Sequence, residues 1–221
     1  MEAQQGRELR VELPRGETRD RLLAAASEEF ALRGFANARV RHIVDQARAN
    51  LAAVNYHFGG KEGLYRATLA HLTARKPPRR PLAQRRGLEP AQRLERRVYA
   101  ILERFVVHTH GATLGRILAH EAMNPTTHLD EVIAESLKPE LAELRTLLSE
   151  VVPGAAAESI GLAAIGILGQ CLLYQFARPA LGKVFPDMPQ GRALCRSVAA
   201  HVTSLTVAGL EALHPAVEEA R

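Results

Sequence analysis

The sequence predicts an all-α protein with a small N-terminal domain over residues 17–75 and a larger C-terminal domain over 90–221. Apolar residues recur at the 3.6-residue helical period, and no segment keeps the strict alternation of a strand. Aromatic residues, which strands favour, make up only 5% of the 221 residues. Residues 1–16 are a predicted flexible tail, and the basic, proline-rich residues 76–89 are a predicted linker that either remains solvated or contacts a phosphate backbone.

Two helices are predicted at the start of the N-terminal domain. The first, over 17–33, places its large apolar side chains on one face and ends before Gly34, a typical C-cap residue. The second runs from 38 to 47, and the preceding Asn37 has a side chain suited to capping its first turn.

A short third helix is predicted over 51–57, with Asn50 as its N-cap. Phe58-Gly59-Gly60 then interrupts the chain, and a fourth helix begins at Lys61 and extends towards Arg75. The third helix is short enough to lie in a DNA groove.

The C-terminal domain shows the same periodicity in longer segments, in which Pro139 either kinks one helix or separates two. Helices are predicted over 94–106, from 114 onward, and around 126–136, 139–152, 155–176 and 190–213. Nineteen uncharged residues, 159–177, approach the length of a membrane span. Glutamines and glycines interrupt them, which favours a helix buried in a core or subunit interface over a membrane helix.

Positive charge is concentrated in the first part of the chain. Residues 1–89 carry 17 Lys and Arg against 10 Asp and Glu, whereas the remainder carries 12 against 14. This asymmetry favours an N-terminal domain that meets phosphate.

Residues 1–20 have no apolar core like that of a signal peptide, and two cysteines are too few for a disulfide framework. We therefore expect a cytoplasmic protein whose two thiols are buried in the core and do not act as a redox sensor.

The spacing from Ala38 to Lys61 is that of a helix-turn-helix: a helix, a break of three to four residues, and a short second helix. An ordinary three-helix bundle has a similar pattern. In the DNA-binding interpretation, the amide of Asn55 binds adenine, and apolar side chains contact thymine methyl groups. The full set of predicted DNA contacts is Arg39, Arg41, Asn50, Leu51, Ala52, Asn55, Tyr56, His57 and Lys61.

The residues from Thr18 to Leu72 resemble the DNA-binding domain of the TetR family. The most specific part is the run Tyr56-His57-Phe58-Gly59-Gly60-Lys61-Glu62-Gly63-Leu64. This run and the segment His120-Glu-Ala-Met-Asn-Pro-Thr-Thr-His-Leu-Asp130 are similar to the CecR-type branch of that family.

The resemblance implies a homodimeric regulator, usually a repressor. Its third helix would bind a near-palindromic operator in double-stranded DNA, its last two helices would form the dimer interface, and an unknown small molecule would weaken DNA binding. The sequence contains no Gly-x-Ser-x-Gly motif, phosphate-binding glycine loop or dinucleotide fingerprint, so we expect no enzymatic activity, cofactor or metal, and no membrane partner. The chain departs from the usual family turn at Arg48, where a residue free to adopt positive φ is common, and at Ala38-Arg39, where a hydroxyl residue is frequent.

Two other functions are weighed against the regulator. A metal site or hydrolase would draw on several histidines and one glutamate, but their spacing does not provide clean i, i+3 or i+4 pairs (His108, His110, His120, Glu121 and His128). A helical adaptor that binds only proteins would leave the basic N-terminal domain unexplained.

For the effector pocket we nominate bulky or polar residues at predicted helix junctions, with plain core or surface roles as the alternative: Phe105, His108, His120, Met123, His128 and Tyr174.

Overall fold

The computed structural model describes residues 15–74 and 87–213, and these residues form helices without a strand. The all-α prediction is therefore confirmed for this part of the chain. The predicted tail and linker lie largely outside it. The four N-terminal helices, here called the head, are α1 Arg15–Asn37, α2 Val40–Gln46, α3 Leu51–Phe58 and α4 Lys61–Ala74.

The remaining helices, here called the body, begin at the predicted linker's end. They are α5 Pro90–Val106, α6 Thr109–Met123, α7 Leu129–Val132, α8 Lys138–Val151, α9 Ala157–Phe176, α10 Arg178–Val184 and α11 Gly191–Leu213. Helix α10 is absent from the sequence-based prediction, because its seven residues are too few to show a period.

Helices α1 to α4 enclose a small apolar core. Leu22, Phe30, Ile43 and Val54 are fully buried, and the ring of Phe30 meets that of Tyr65 edge to face at 4.9 Å. Helices α2 and α3 have only seven and eight residues, and helices of this length are marginal in isolation. Their stability therefore depends on packing, of α2 against α1 and of α3 against α4.

The start of α2 differs from the prediction. Gly34 interrupts α1 as predicted, with a left-handed φ of 69°, and a further helical turn runs on to Asn37, after which the Ala38 N–H donates to the Gly34 carbonyl at 3.1 Å. Arg39 is the N-cap of α2, and its side chain makes no capping hydrogen bond. The prediction that Asn37 caps this helix is therefore wrong.

Helix α5 is the centre of the body, where it packs against α6, α8, α9 and α11. Its buried face matches the predicted stripe (Leu94, Val98, Ile101, Leu102, Phe105 and Val106). A buried ionic cluster accompanies this core: Arg97 and Arg104 both contact the carboxylate of Glu140 on α8. Because a buried carboxylate is costly without partners, the two arginines help to hold α8 on α5.

A π-helical turn, Ile133–Leu137, joins α7 to α8 without a break. The Lys138 N–H donates to the Ile133 carbonyl, five residues back. Pro139 has no N–H for the carbonyl of Glu135, and its ring would clash with that carbonyl in a regular helix. Pro139 therefore neither ends the helix nor simply bends it, but is accommodated by a wider turn.

Helices α9 and α11 are long and apolar enough to cross a membrane by length and composition alone. In this fold both pack against α5, and part of each helix face belongs to the body core. On the remaining face α9 exposes a row of apolar side chains, namely Leu162, Ile165, Leu173 and Phe176.

Both cysteines lie inside the body, on α9 and α11. Burial raises the pKa of the Cys171 thiol to about 12, and burial also raises the pKa of Cys195. At neutral pH the Cys171 thiol therefore stays protonated, and its reaction with electrophiles is slow. We expect maleimide to label the native protein far more slowly than the urea-unfolded protein. Comparable labelling of both forms, followed by mass spectrometry, would contradict this burial.

Candidate nucleic-acid interface

Helix α3 has one buried side and one exposed side. Asn50 caps it, because its side-chain oxygen accepts a hydrogen bond from the Ala53 N–H at 2.8 Å. Val54 is fully buried, which fixes the helix on the head core. Leu51 and Tyr56 are 57% and 69% exposed, so the opposite side of the helix lies at the protein surface.

Other predicted contact residues follow the same division. Ala52 and Asn55 are exposed, and His57 is half-buried. The rings of Tyr56 and His57 meet edge to face at 5.0 Å, which orders these two side chains at the end of the helix. The exposed residues therefore form a polar edge around Asn55 and Tyr56, with apolar groups near the helix start.

The turn between α2 and α3 is held in a left-handed conformation at Arg48, whose φ is 49°. The Arg48 N–H donates to the Asp45 carbonyl at 3.1 Å, and the Ala49 N–H donates to the Val44 carbonyl at 2.9 Å. These bonds hold a conformation that costs a non-glycine residue about 1 kcal/mol. The turn thus adopts positive φ at Arg48, where the sequence resemblance implies a residue free to do so.

Lys61 begins α4 as predicted, and its amine is already in contact with the protein. The Nζ atom donates to the Ala36 carbonyl at 3.3 Å and lies 4.8 Å from the centre of the Phe35 ring. Burial lowers the pKa of Lys61, and the carboxylate of Glu29 opposes this shift. Lys61 therefore joins the end of α1 to the start of α4, in addition to its predicted phosphate contact.

Arg39 and Arg41 lie exposed at the start of α2. The backbone N–H of Arg39 donates to the Oε1 atom of Glu29 at 3.0 Å, while its guanidinium makes no capping bond. Both guanidinium groups are therefore accessible to solvent at the start of α2, and Glu29 holds this end of the helix through the Arg39 N–H. Glu29 was missed by sequence reasoning, because a contact ten residues away has no local signature.

The nominated effector residues are spread over the molecule. Phe105 is buried in the body core, and Tyr174 is half-buried on α9. His108 is the exposed N-cap residue of α6, and Met123 is 80% exposed at the end of the same helix. Only Phe105 and Tyr174 of these four are therefore packed inside the body.

His120 and His128 instead lie at the junction, which we define as the contact of α1 and α4 with α6, α7 and the π turn. A Cβ atom built on Gly34 would lie 3.1 Å from the His120 ring. The His128 ring packs edge to face on Phe35, at 4.6 Å, and lies 5.3 Å from the Tyr65 ring. Sequence periodicity placed both histidines near helix ends but could not identify the helix that they face.

Buried hydrogen bonds cross the same junction. The Tyr65 hydroxyl donates to the Oε1 atom of Glu121 at 2.9 Å, and Glu121 also accepts from the backbone N–H and the hydroxyl of Thr126. Burial and the carboxylate of Glu121 raise the pKa of Tyr65, so its hydroxyl stays protonated. At the rim, Arg66 Nε donates to both carboxylate oxygens of Glu131, at 3.0 and 3.1 Å.

Two residues considered as metal ligands in the sequence, His120 and Glu121, have structural contacts at the junction. Within residues 15–74 and 87–213, no group of three His, Cys, Asp or Glu side chains is placed to hold a metal ion. His120 packs on Gly34, and Glu121 is bound to Tyr65 and Thr126.

Two family models match the chain. Residues 22–68 match the model of bacterial regulatory proteins of the tetR family, and residues 90–213 match the C-terminal domain of the HTH-type transcriptional dual regulator CecR. The HTH-type transcriptional repressor NicS of Pseudomonas putida is 32% identical over 111 residues, or 50% of this chain. The match covers 51% of NicS, so the chain spans about half the length of this curated relative.

Solved structures share the fold. The crystal structure of HlyIIR, a hemolysin II transcriptional regulator, has a TM-score of 0.65 at 18% identity, covering 87% of this chain and 98% of its own. FadR of Bacillus subtilis in complex with stearoyl-CoA has a TM-score of 0.62 at 18% identity, covering 86% and 98%. Because the CecR-type model alone spans more than half of the sequence, the chain belongs to the TetR family of DNA-binding transcriptional regulators, in its CecR-type branch, and is not an enzyme.

Proposed function

We propose that this protein is a cytoplasmic, ligand-responsive repressor that binds a near-palindromic operator as a homodimer, through a DNA-binding domain over 17–75 and an effector-binding and dimerisation domain over 90–221. The observation that carries this proposal is the exposed edge of α3. Its polar side chains at Asn55 and Tyr56 face solvent, while Val54 fixes the helix from behind.

Each exposed group has a chemical role in this proposal. The Asn55 amide donates to and accepts from adenine, and Leu51 and Ala52 contact thymine methyl groups. Tyr56 and His57 donate to phosphate oxygens. The cationic contacts to the flanking backbone come from Arg39, Arg41 and Lys61, with Lys61 at the positive N-terminal end of α4.

The proposed homodimer uses the exposed face of α9 together with α11. Ile165 is 58% exposed and Leu173 lies two turns further along the same face. Gly166 and Gly169 have open space beside them, which permits close approach of a second backbone. A second copy of the chain would cover these apolar groups, and the two α3 helices would then meet successive major grooves.

The repressor role and the response to a small molecule are proposed by analogy with similar proteins. NicS is a repressor by name, and the similar FadR structure holds stearoyl-CoA. Phe105 and Tyr174 are the nominated effector residues that lie within this body. Ligand contact there would reach the head through the junction, where Tyr65 and Glu121 are joined.

Tyr56→Ala tests the proposed DNA-binding face. Because Tyr56 projects into solvent, we expect the variant to keep its melting temperature and to raise the operator Kd by about tenfold to a hundredfold. Fluorescence anisotropy on DNA fragments selected from the host genome measures this change. Unaltered affinity in Tyr56→Ala would contradict the proposed face.

A salt series supplies the electrostatic arm of the same experiment. Wild-type affinity should fall steeply with salt, and Lys61→Ala should make the slope shallower by about one per subunit. Lys138→Ala is the matched control, because this exposed lysine begins α8 in the body. A slope that is flat, or equal in the two variants, would argue against the phosphate contact of Lys61.

A further inference from the structure

Glu29 is a buried carboxylate on the head's first helix. Its side chain is 7% exposed, although glutamate is rarely buried without partners. An ionised carboxylate in such a place needs donors that compensate for its lost hydration. The identity of those donors indicates what Glu29 does.

Two of the donors lie at the N-terminal end of α2, and the third lies on α1 itself. The Oε1 atom accepts the Arg39 N–H at 3.0 Å, lies 3.5 Å from Nδ1 of His42, and lies 3.1 Å from Nε of Arg33. Arg33 belongs to the same helix as Glu29, whereas Arg39 and His42 are the N-cap and third residues of α2.

This arrangement replaces a common capping motif. In a capping box, a glutamate or glutamine at the third helical position accepts the N–H of the N-cap residue. Helix α2 has His42 at that position and Arg39 at the N-cap, and neither side chain makes the motif's bonds. Glu29 supplies the missing acceptor from α1 and brings a negative charge to the positive end of α2.

We propose that Glu29 is a positioning residue for DNA binding, which caps α2 from the neighbouring helix and so sets where Arg39 and Arg41 meet the phosphate backbone. This inference rests on the proposed function of the head. Glu29 itself touches no DNA in the proposal, and its effect passes through the orientation of α2. The carboxylate also favours the charged form of Lys61 at the start of α4.

The test compares variants at Glu29 with a control on the same helix. Glu29→Leu should weaken operator binding by about tenfold or more and speed hydrogen exchange at the Arg39 amide, because the acceptor is lost. Glu29→Gln retains an acceptor oxygen and should keep much of the affinity. Glu17→Leu removes the same charge from an exposed carboxylate in the first turn of α1, and should leave both measurements near wild type.

A second-site variant separates positioning from general destabilisation. Combining Glu29→Leu with His42→Gln recreates an acceptor at the third position of α2, so both protection of the Arg39 amide and operator affinity should recover. Restored protection without restored affinity would overturn the positioning role, as would wild-type affinity in Glu29→Leu. If Tyr56→Ala also binds normally, the DNA-binding face is wrong, whereas the amide exchange still reports the cap.

Discussion

Replacing Ile165 with aspartate is expected to dissociate the proposed homodimer and to lower operator affinity by about a hundredfold or more. Two-fold symmetry would place two copies of the new carboxylate in one apolar interface, where an unpaired charge costs several kcal/mol. Separated subunits bind two half-sites independently and lose the high effective concentration that joining them provides. The expected fold is unchanged, because Ile165 lies outside the body core.

Sedimentation equilibrium and anisotropy measure the two effects of Ile165→Asp together. Met123→Asp is the matched control, since Met123 is an exposed apolar residue at the end of α6 and outside the α9 face. The control should remain dimeric with wild-type affinity. A dimeric Ile165→Asp variant with wild-type affinity would move the interface to another surface.

Local signals explain what the sequence predicted well. Asn50 caps α3 because an asparagine immediately before a helix accepts hydrogen bonds within its own turn. Arg48 has positive φ in the short turn between α2 and α3, at the position where the family resemblance implies a residue free to adopt it. Lys61 begins α4 directly after two glycines with positive φ. Each of these features depends on residues at most a few positions apart.

Contacts between distant residues explain what the sequence did not predict. Asn37 has suitable capping chemistry, but Glu29 from the preceding helix supplies the acceptor instead. His120 and His128 were nominated for a ligand pocket. Their rings instead pack on head residues that lie more than eighty positions earlier in the chain, at Gly34 and Phe35. Amphipathic periodicity identifies the side of a helix that is buried, but it does not identify the element that buries it.

The junction between head and body should depend strongly on Glu121. Glu121→Leu is expected to destabilise the protein by about 2–4 kcal/mol, because it leaves the Tyr65 hydroxyl and the Thr126 N–H without their acceptor. Tyr65 is fully buried, so water cannot readily replace the lost bond. Urea unfolding measures the loss, and Glu121→Gln should recover part of it because one acceptor oxygen remains.

Glu131→Leu provides the matched comparison at the same junction. Its carboxylate is 42% exposed and pairs with Arg66, which is itself 54% exposed, so removal should cost less than about 1 kcal/mol. The contrast separates buried hydrogen bonding from surface charge, since both carboxylates connect α4 to the body. Equal losses in the two leucine variants would contradict the junction geometry. If Glu121 also couples the two units, Glu121→Leu should weaken operator binding under conditions where the protein remains folded, whereas Glu131→Leu should not.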